Sequence, residues 1–569
     1  MSPNSLNNLL DQLDQVKSRF GAREHRLIER LLTLLSRRKI ADVETLIHFH
    51  EILLFLIAYP QSARIRQLAE SQLRSFADRV EALRDAEVDL SALDNPEVSG
   101  IAGTAISDTL TYYIVRWLLR SHAAQVAFDW DWFDDTNRLS ETWPRFMPLL
   151  DEDAFVEANV PYREWLRAAK GRAKELTWLM QRFASLNKSE RETAELYDSQ
   201  NLFVSWTPSY RFTRTGMRLP VNPKQIFYHR RPLIQRRDIS LRDELEKPAT
   251  PPVLKHLSTR RGEKILNLAR EASTLRYREL YGFTHGDPRR VLHANIGRGV
   301  DIFVLGVPPE KRLPLRAYHA AMIFKNGVPV SYFEGLSLFE RMEGGFNLYY
   351  TFREGETAWL YARTLHIFHH LCGVTVFTLD PYQIGYENEE GIESGAFWFY
   401  RKLGFRPTDP ELMKLVLNEE KKITARPGYR TSLKTLRQLA ESPMIFELEQ
   451  SNAGDWGKFQ LRNLGLSVQR RMAAKYGGDA ERFRAGTVKE LERALGIRVA
   501  AWPEAAQTAL RDYAAALSLV EDLDRWSEVE KQALVKIIRA KAGADEAGYL
   551  NQMQRHLRLR RALVKLGSH

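Results

Sequence analysis

Apolar residues recur at helical spacing from the start of the chain: Leu9, Leu10, Leu13 and Val16, then Leu27, Leu31, Leu32 and Leu35. This pattern predicts helices over residues 5–85. A third helix begins near Asp42 and is interrupted at Pro60, and another runs from Ala63 towards Leu83. A looser segment at 87–103 leads to helical patterns through Thr109–Ala127 and Tyr162–Ser185, with no fixed-period repeat. After Gly282 the texture turns to short apolar runs. Val300–Leu305 reads as a strand, and Ala317–Phe324 and Val328–Phe339 flank Lys325-Asn326-Gly327, whose Asn-Gly pair signals a tight hairpin. A strand at Phe346–Phe352, a helix at Thr357–Leu371, a strand at Val374–Leu379 and a helix at Ser394–Leu403 ending on Gly404 follow. That order contains a β-α-β unit, so one pair of strands is expected to be parallel. From about Asp409 the pattern is again mainly helical, and the last helix is basic.

The predicted class is α+β and multidomain, since 569 residues exceed what one core holds. The pattern changes divide the chain into a helical domain at 1–200, a basic arm or linker at 201–260, a mixed-sheet domain at 261–425 and a helical region at 426–569. Cys372 is the single cysteine, which excludes an internal disulfide or a multi-cysteine zinc site and suits a reducing compartment. The opening residues lack a basic stretch followed by an apolar run, and no apolar segment is long enough to span a bilayer. A cytoplasmic location is the expectation.

The net charge of +11 draws attention to 210–247, where ten Arg/Lys stand against four acids and prolines interrupt any helix. Arginines interleaved with Trp206, Tyr210, Phe212, Phe227 and Tyr228 suit phosphate contacts and base stacking. The alternative is a domain seam in which these arginines pair with the acids of Asp129–Asp135 and Asp151–Asp153, and that reading is preferred.

Other patterns carry less. His366 and His370 lie one helical turn apart but lack an HExxH context, and His50-Glu51 has Leu54 where a second histidine would stand. Asp129-Trp130-Asp131 is a triplet common by chance. Gly297-Arg298-Gly299 reads as a turn, and Cys372 as a small buried hydrophobe. No metal is expected.

The strongest pattern is Gly391–Pro407, GIESGAFWFYRKLGFRP. It resembles the signature closing the core of the GNAT acyltransferase superfamily: Ala396, Phe399, Tyr400, Gly404 and Phe405 fall in register, with Glu393 where asparagine is usual. The likeness extends over about 316–407, and from 262 if the preceding elements supply the opening of that fold. It implies acyl-CoA as cosubstrate, its diphosphate on the start of the Thr357–Leu371 helix, where backbone N–H groups and the helix dipole favour anions. Arg353, Gly355, Glu356, Thr357, Ala358 and Trp359 form the corresponding loop, with Arg363 nearby. Arg353 and Ala358 take the first and last places of the usual motif, but Gly355 lies one position early and Glu356 replaces a glycine. That departure leaves two readings open, a working CoA loop or a self-capped helix that no longer binds it.

By the same resemblance Tyr400 protonates a departing thiolate, as a phenol can; otherwise it only packs. Glu334 is the candidate base, with Glu340 and Glu343 as others. The implied activity is acyl transfer to an amine of unspecified identity, with oxygen-polarising donors from strand N–H groups. Two alternatives stand beside it: a Fem-like ligase drawing aminoacyl groups from tRNA, and a non-catalytic scaffold whose helical regions hold a protein partner.

Overall fold

The computed structural model describes residues 5–132, 138–147, 153, 162–246, 251–448 and 454–568. Asp134, Asp135 and Asp151, named above as partners of the basic arm, lie outside the described residues, as does Lys247. The chain gathers into two compact units, one of 1–232, 266–284 and 326–329, the other of 233–265, 285–325 and 330–569.

In the first unit, helices Leu6–Lys17, Ala22–Leu35, Val43–Ala58, Ala63–Leu73 and Phe76–Asp85 follow one another. Val43–Ala58 is apolar around most of its circumference and is therefore the central helix, with twelve of its residues buried. Asp42 starts it by accepting from the Thr45 N–H at 2.8 Å. His50 and Glu51 sit inside this core: His50 Nδ1 meets Glu51 and Nε2 meets Thr215 Oγ1, each at 2.9 Å, while Arg214 pairs with Glu51. Three strands the pattern did not announce, β1 (Ile106–Asp108), β2 (Val126–Phe128) and β3 (Val204–Trp206), form a small antiparallel sheet in the order β1-β3-β2. Each is three residues long, too short for a legible alternation.

The second unit is built on nine strands: β4 (Lys255–His256), β5 (Val291–Asn295), β6 (Val300–Leu305), β7 (Ala317–Lys325), β8 (Val328–Leu338), β9 (Arg341–Leu348), β10 (Val376–Leu379), β11 (Arg406–Pro407) and β12 (Met444–Glu447). Their order is β11-β12-β10-β9-β8-β7-β6-β5-β4. The class is α+β, with helical regions at both ends of the chain. Asn326 (φ 48°) and Gly327 (φ 82°) both adopt left-handed backbone, as the hairpin between β7 and β8 requires. Gly297-Arg298-Gly299 is the turn between β5 and β6.

Two boundaries move. The strand expected at Phe346–Phe352 begins instead at Arg341, because Phe339 (φ 52°) and Glu340 reverse the chain at once. Its last expected residues, Tyr350–Phe352, form a 3-10 turn. The helix expected over Ser394–Leu403 is shorter, Ala396–Arg401, and Gly395 (φ 68°) separates it from a further short helix at Glu389–Glu393. β12 was hidden in a region read as helical, and it returns after helices Pro410–Ala425 and Leu433–Leu439 to lie between β10 and β11.

Six helices from Leu461 to Gly567 complete this unit. They are tied to the sheet by specific polar contacts. Gln554 donates to the Cys372 and Phe339 carbonyls at 2.8 and 3.0 Å, and Arg560 binds Glu340 and, at 2.8 Å, Asp455. Glu340 is thus held by a cation and by the Trp456 indole N–H, 2.7 Å away.

Candidate functional site

β9 and β10 are parallel and paired through three residues only, Arg341 with Val376, Met342 with Phe377 and Glu343 with Thr378. Beyond them β9 stays in register with β8 as far as Leu348 opposite Ser331, while β10 ends at Leu379. From Gly345 to Leu348 the outer edge of β9 therefore has no strand beside it among the described residues. Backbone groups on such an edge need other partners. Gly345 lets the Gln383 side chain approach β9 closely, since a Cβ there would stand 3.3 Å from the Gln383 amide nitrogen.

The helix Thr357–Cys372 connects the two strands and starts at this end of the sheet. Its first N–H groups have no partner within the helix. The residues singled out from sequence meet here in part. Thr357 Oγ1 donates to the Arg353 carbonyl at 3.1 Å, Ala358 and Trp359 are buried, and Gly355 closes the preceding turn through its N–H to the Phe352 carbonyl at 2.8 Å. Arg353 pairs with Glu390 and lies 5.2 Å from the Tyr350 ring centre. Arg363, further along the helix, reaches Glu244 at 3.5 Å.

Glu356 is the unexpected member. Its side chain is 0% exposed, and it is held by Arg298, by Lys325 Nζ at 3.1 Å and by the Ile234 N–H at 3.2 Å. Lys325 is equally buried and also donates to the Arg298 carbonyl at 2.6 Å. Burial pulls the Lys325 pKa down to about 8 against the upward pull of Glu356. At neutral pH the cluster thus holds two cations and one carboxylate. Arg298 also lies 5.9 Å from the Trp359 ring centre. Neither cation stands out as a site residue in the sequence, where each is only part of a turn: Arg298 sits between two glycines and Lys325 immediately before Asn326-Gly327.

Tyr400 is 4% exposed on the short helix Ala396–Arg401. Its ring packs edge-on against Tyr361 and Phe405 at 5.5 and 5.8 Å, and Tyr361 in turn meets Phe346 of β9 at 5.1 Å. Burial raises the Tyr400 pKa well above the usual phenol range, so the group is protonated at neutral pH. Tyr361 was not foreseen, because a tyrosine on a helix face carries no signal of its own.

Glu334 stands on β8 directly opposite Gly345. It accepts from the Tyr318 hydroxyl, and burial raises its pKa despite that bond. Glu343 lies opposite Leu336 on the same strand pair and binds Arg341 at 3.2 Å. Phe333, the neighbour of Glu334, stacks on Phe368 of the Thr357–Cys372 helix at 5.0 Å. Alternation along the strand therefore turns Glu334 to the opposite face.

Of the other histidines considered, His366 is buried and its pKa falls to about 4 through desolvation. Among the described residues no group of three or more His, Cys, Asp or Glu is arranged to hold a metal ion. Among them, too, no helix is long and apolar enough to cross a membrane. No protein-family model matches the chain, and neither a curated protein nor a solved structure shows a significant match.

Proposed function

We propose that the sheet-bearing unit transfers an acyl group from acyl-CoA, or another phosphopantetheine thioester, to an amine. The observation that carries this reading is the parting of β9 from β10 after three residue pairs, at the end of the sheet where the connecting helix begins. An extended pantetheine arm bears amides that hydrogen-bond as a strand does, and the unpaired edge of β9 is a partner of that kind. The diphosphate then meets the N–H groups of Thr357, Ala358 and Trp359. Glu356 opposes it little, because its charge is already countered by the buried Lys325 and the half-buried Arg298.

In the reaction, Glu334 accepts a proton from the ammonium form of the acceptor, and the amine attacks the thioester carbonyl. N–H groups of β9 polarise the oxygen as the tetrahedral centre forms. The C–S bond breaks as Tyr400 gives its proton to the departing sulfur, and the proton that the newly acylated nitrogen sheds restores the phenol. A thiolate leaving into this dry site is raised in pKa by the same desolvation as the phenol, so the two remain matched.

The Fem-like alternative calls for a second sheet of the same kind. The other sheet among the described residues has three strands of three residues each, which favours the single-site reading. The test is thermal unfolding of the full chain with acetyl-CoA, octanoyl-CoA, free CoA and tRNA. A ligand at a hundred times its dissociation constant stabilises its domain by about 2.7 kcal/mol. A shift with acyl-CoA supports the proposal, whereas no shift with any CoA species at millimolar concentration leaves the scaffold reading in its place.

A further inference from the structure

At the other end of the Thr357–Cys372 helix lies a cavity of about 370 Å³, walled by Leu292 of β5, Val304 of β6, His319 of β7, Leu371 in the last helical turn and the segment 544–547. Its surface is mainly apolar, and the acids around it are already engaged. Glu546 binds Lys541 and accepts the Tyr318 N–H at 3.1 Å, Asp545 caps the Gly548 N–H at 2.8 Å, and Asp287 holds Arg289 and Arg290, each at 2.9 Å.

Two groups on the wall are left over. Arg312 donates through its terminal nitrogens to the carbonyls of Lys541 and, at 3.0 Å, Gly543, but has no carboxylate within 4 Å among the described residues, and its buried Nε has no hydrogen-bond partner. His319 is 5% exposed, and neither ring nitrogen bonds to a described residue. The charged groups around the imidazole are Glu546, Asp545, Lys541 and Arg312. A buried donor without an acceptor and a cation without a counter-ion both cost stability until something supplies them.

We propose that this cavity binds a small monocarboxylate with an apolar body, its carboxylate on Arg312 and His319 and its chain against Leu292, Val304 and Leu371. A carboxylate answers Arg312, which has no carboxylate within 4 Å among the described residues, and it stands near Glu546 and Asp545 with one negative charge where a phosphate dianion would bring two. The volume is at the small end for ligand sites and suits a chain of roughly six to ten carbons. The site does not depend on the acyltransfer reading, since it uses neither the open edge of β9 nor the start of the helix.

The test is calorimetric titration of the full-length protein with octanoate, using octanamide and inorganic phosphate as comparators. Saturable octanoate binding at one site is expected, with octanamide at least about tenfold weaker. Arg312→Met should weaken octanoate by a similar factor, and Leu371→Trp, which fills the cavity, should abolish binding. Should Arg312→Met fail to fold, Leu371→Trp and the octanamide comparison still decide. Equal affinity for octanamide, octanoate binding unchanged in Leu371→Trp, inorganic phosphate binding in place of octanoate, or no octanoate binding at millimolar concentration would each overturn the proposal.

Discussion

Lys325 Nζ lies 3.1 Å from Glu356 Oε2, and neither side chain has any exposed surface. The pair joins the tip of the β7–β8 hairpin to the residue preceding the Thr357–Cys372 helix, and Arg298 joins it from the β5–β6 turn. Sequence alone suggests that glycine at 356 would restore a phosphate-binding loop. The buried cluster gives Glu356 a structural role as well. Removing the carboxylate strands the fully buried Lys325 without its partner, and breaking a buried pair in this way typically costs about 3–5 kcal/mol. Glu356→Gln should therefore lower the denaturant midpoint of this unit by a corresponding amount, and Glu356→Gly by at least as much. If either variant unfolds as the parent does, the cluster is not structural.

The same pair sets a pH dependence. The Lys325 pKa falls from 10.5 in the unfolded chain to about 8 in the fold. Between these values the unfolded state binds more protons, so this group makes stability rise with pH over that window. The burial penalty is fully present below pH 8 and is relieved as pH approaches 10.5, by about 3 kcal/mol at most. Lys325→Met should flatten that part of the stability profile. CoA affinity should move the other way, weakening above pH 8 as the cluster loses a positive charge near the diphosphate. Parallel measurements of unfolding and acetyl-CoA affinity from pH 7 to 10 check both signs.

Much of the sheet-bearing unit is legible in the chain because its cues are local. Asn326-Gly327 dictates a hairpin, the apolar stretch at Val300–Leu305 is a buried strand at the same bounds, and Gly373 (φ 66°) ends the helix that Thr357 begins. What escapes is set by distant partners. β12 has four residues and exists because β10 and β11 flank it; its sequence, Met-Ile-Phe-Glu, lies among helical patterns. Likewise nothing local at Glu356 announces that Arg298 and Lys325 converge on it, since each lies in a different turn. The basic arm shows the same limit. Arg214 and Arg242 pair with Glu51 and Glu246, the first too far along the chain to be foreseen.

Glu334 offers a test through the hydroxyl that binds it. As a general base it must be ionised, so turnover should fall as pH drops through its raised pKa. Tyr318→Phe removes a hydrogen bond to the charged form and should move that acid limb to higher pH. Glu334→Gln should lose the limb and reduce turnover by about 10²- to 10⁴-fold. CoA release from acetyl-CoA with a panel of amines, followed from pH 5 to 9, reads all three. An acid limb that stays in place in Tyr318→Phe would point to another base.

Tyr400 separates catalysis from packing. Tyr400→Phe keeps the ring and its edge-on contacts with Tyr361 and Phe405, and no described residue bonds its hydroxyl, so stability should change by less than about 1 kcal/mol. Loss of the transferable proton should nonetheless slow thioester cleavage by about a hundredfold or more. The deficit should shrink with donors whose leaving thiol is more acidic, because a better leaving group needs less protonation. An S-aryl thioester compared with acetyl-CoA measures this directly. Equal losses for both donors would mean that the phenol positions the substrate. Unchanged turnover with both would leave Tyr400 as part of the aromatic core that Tyr361 and Phe346 complete.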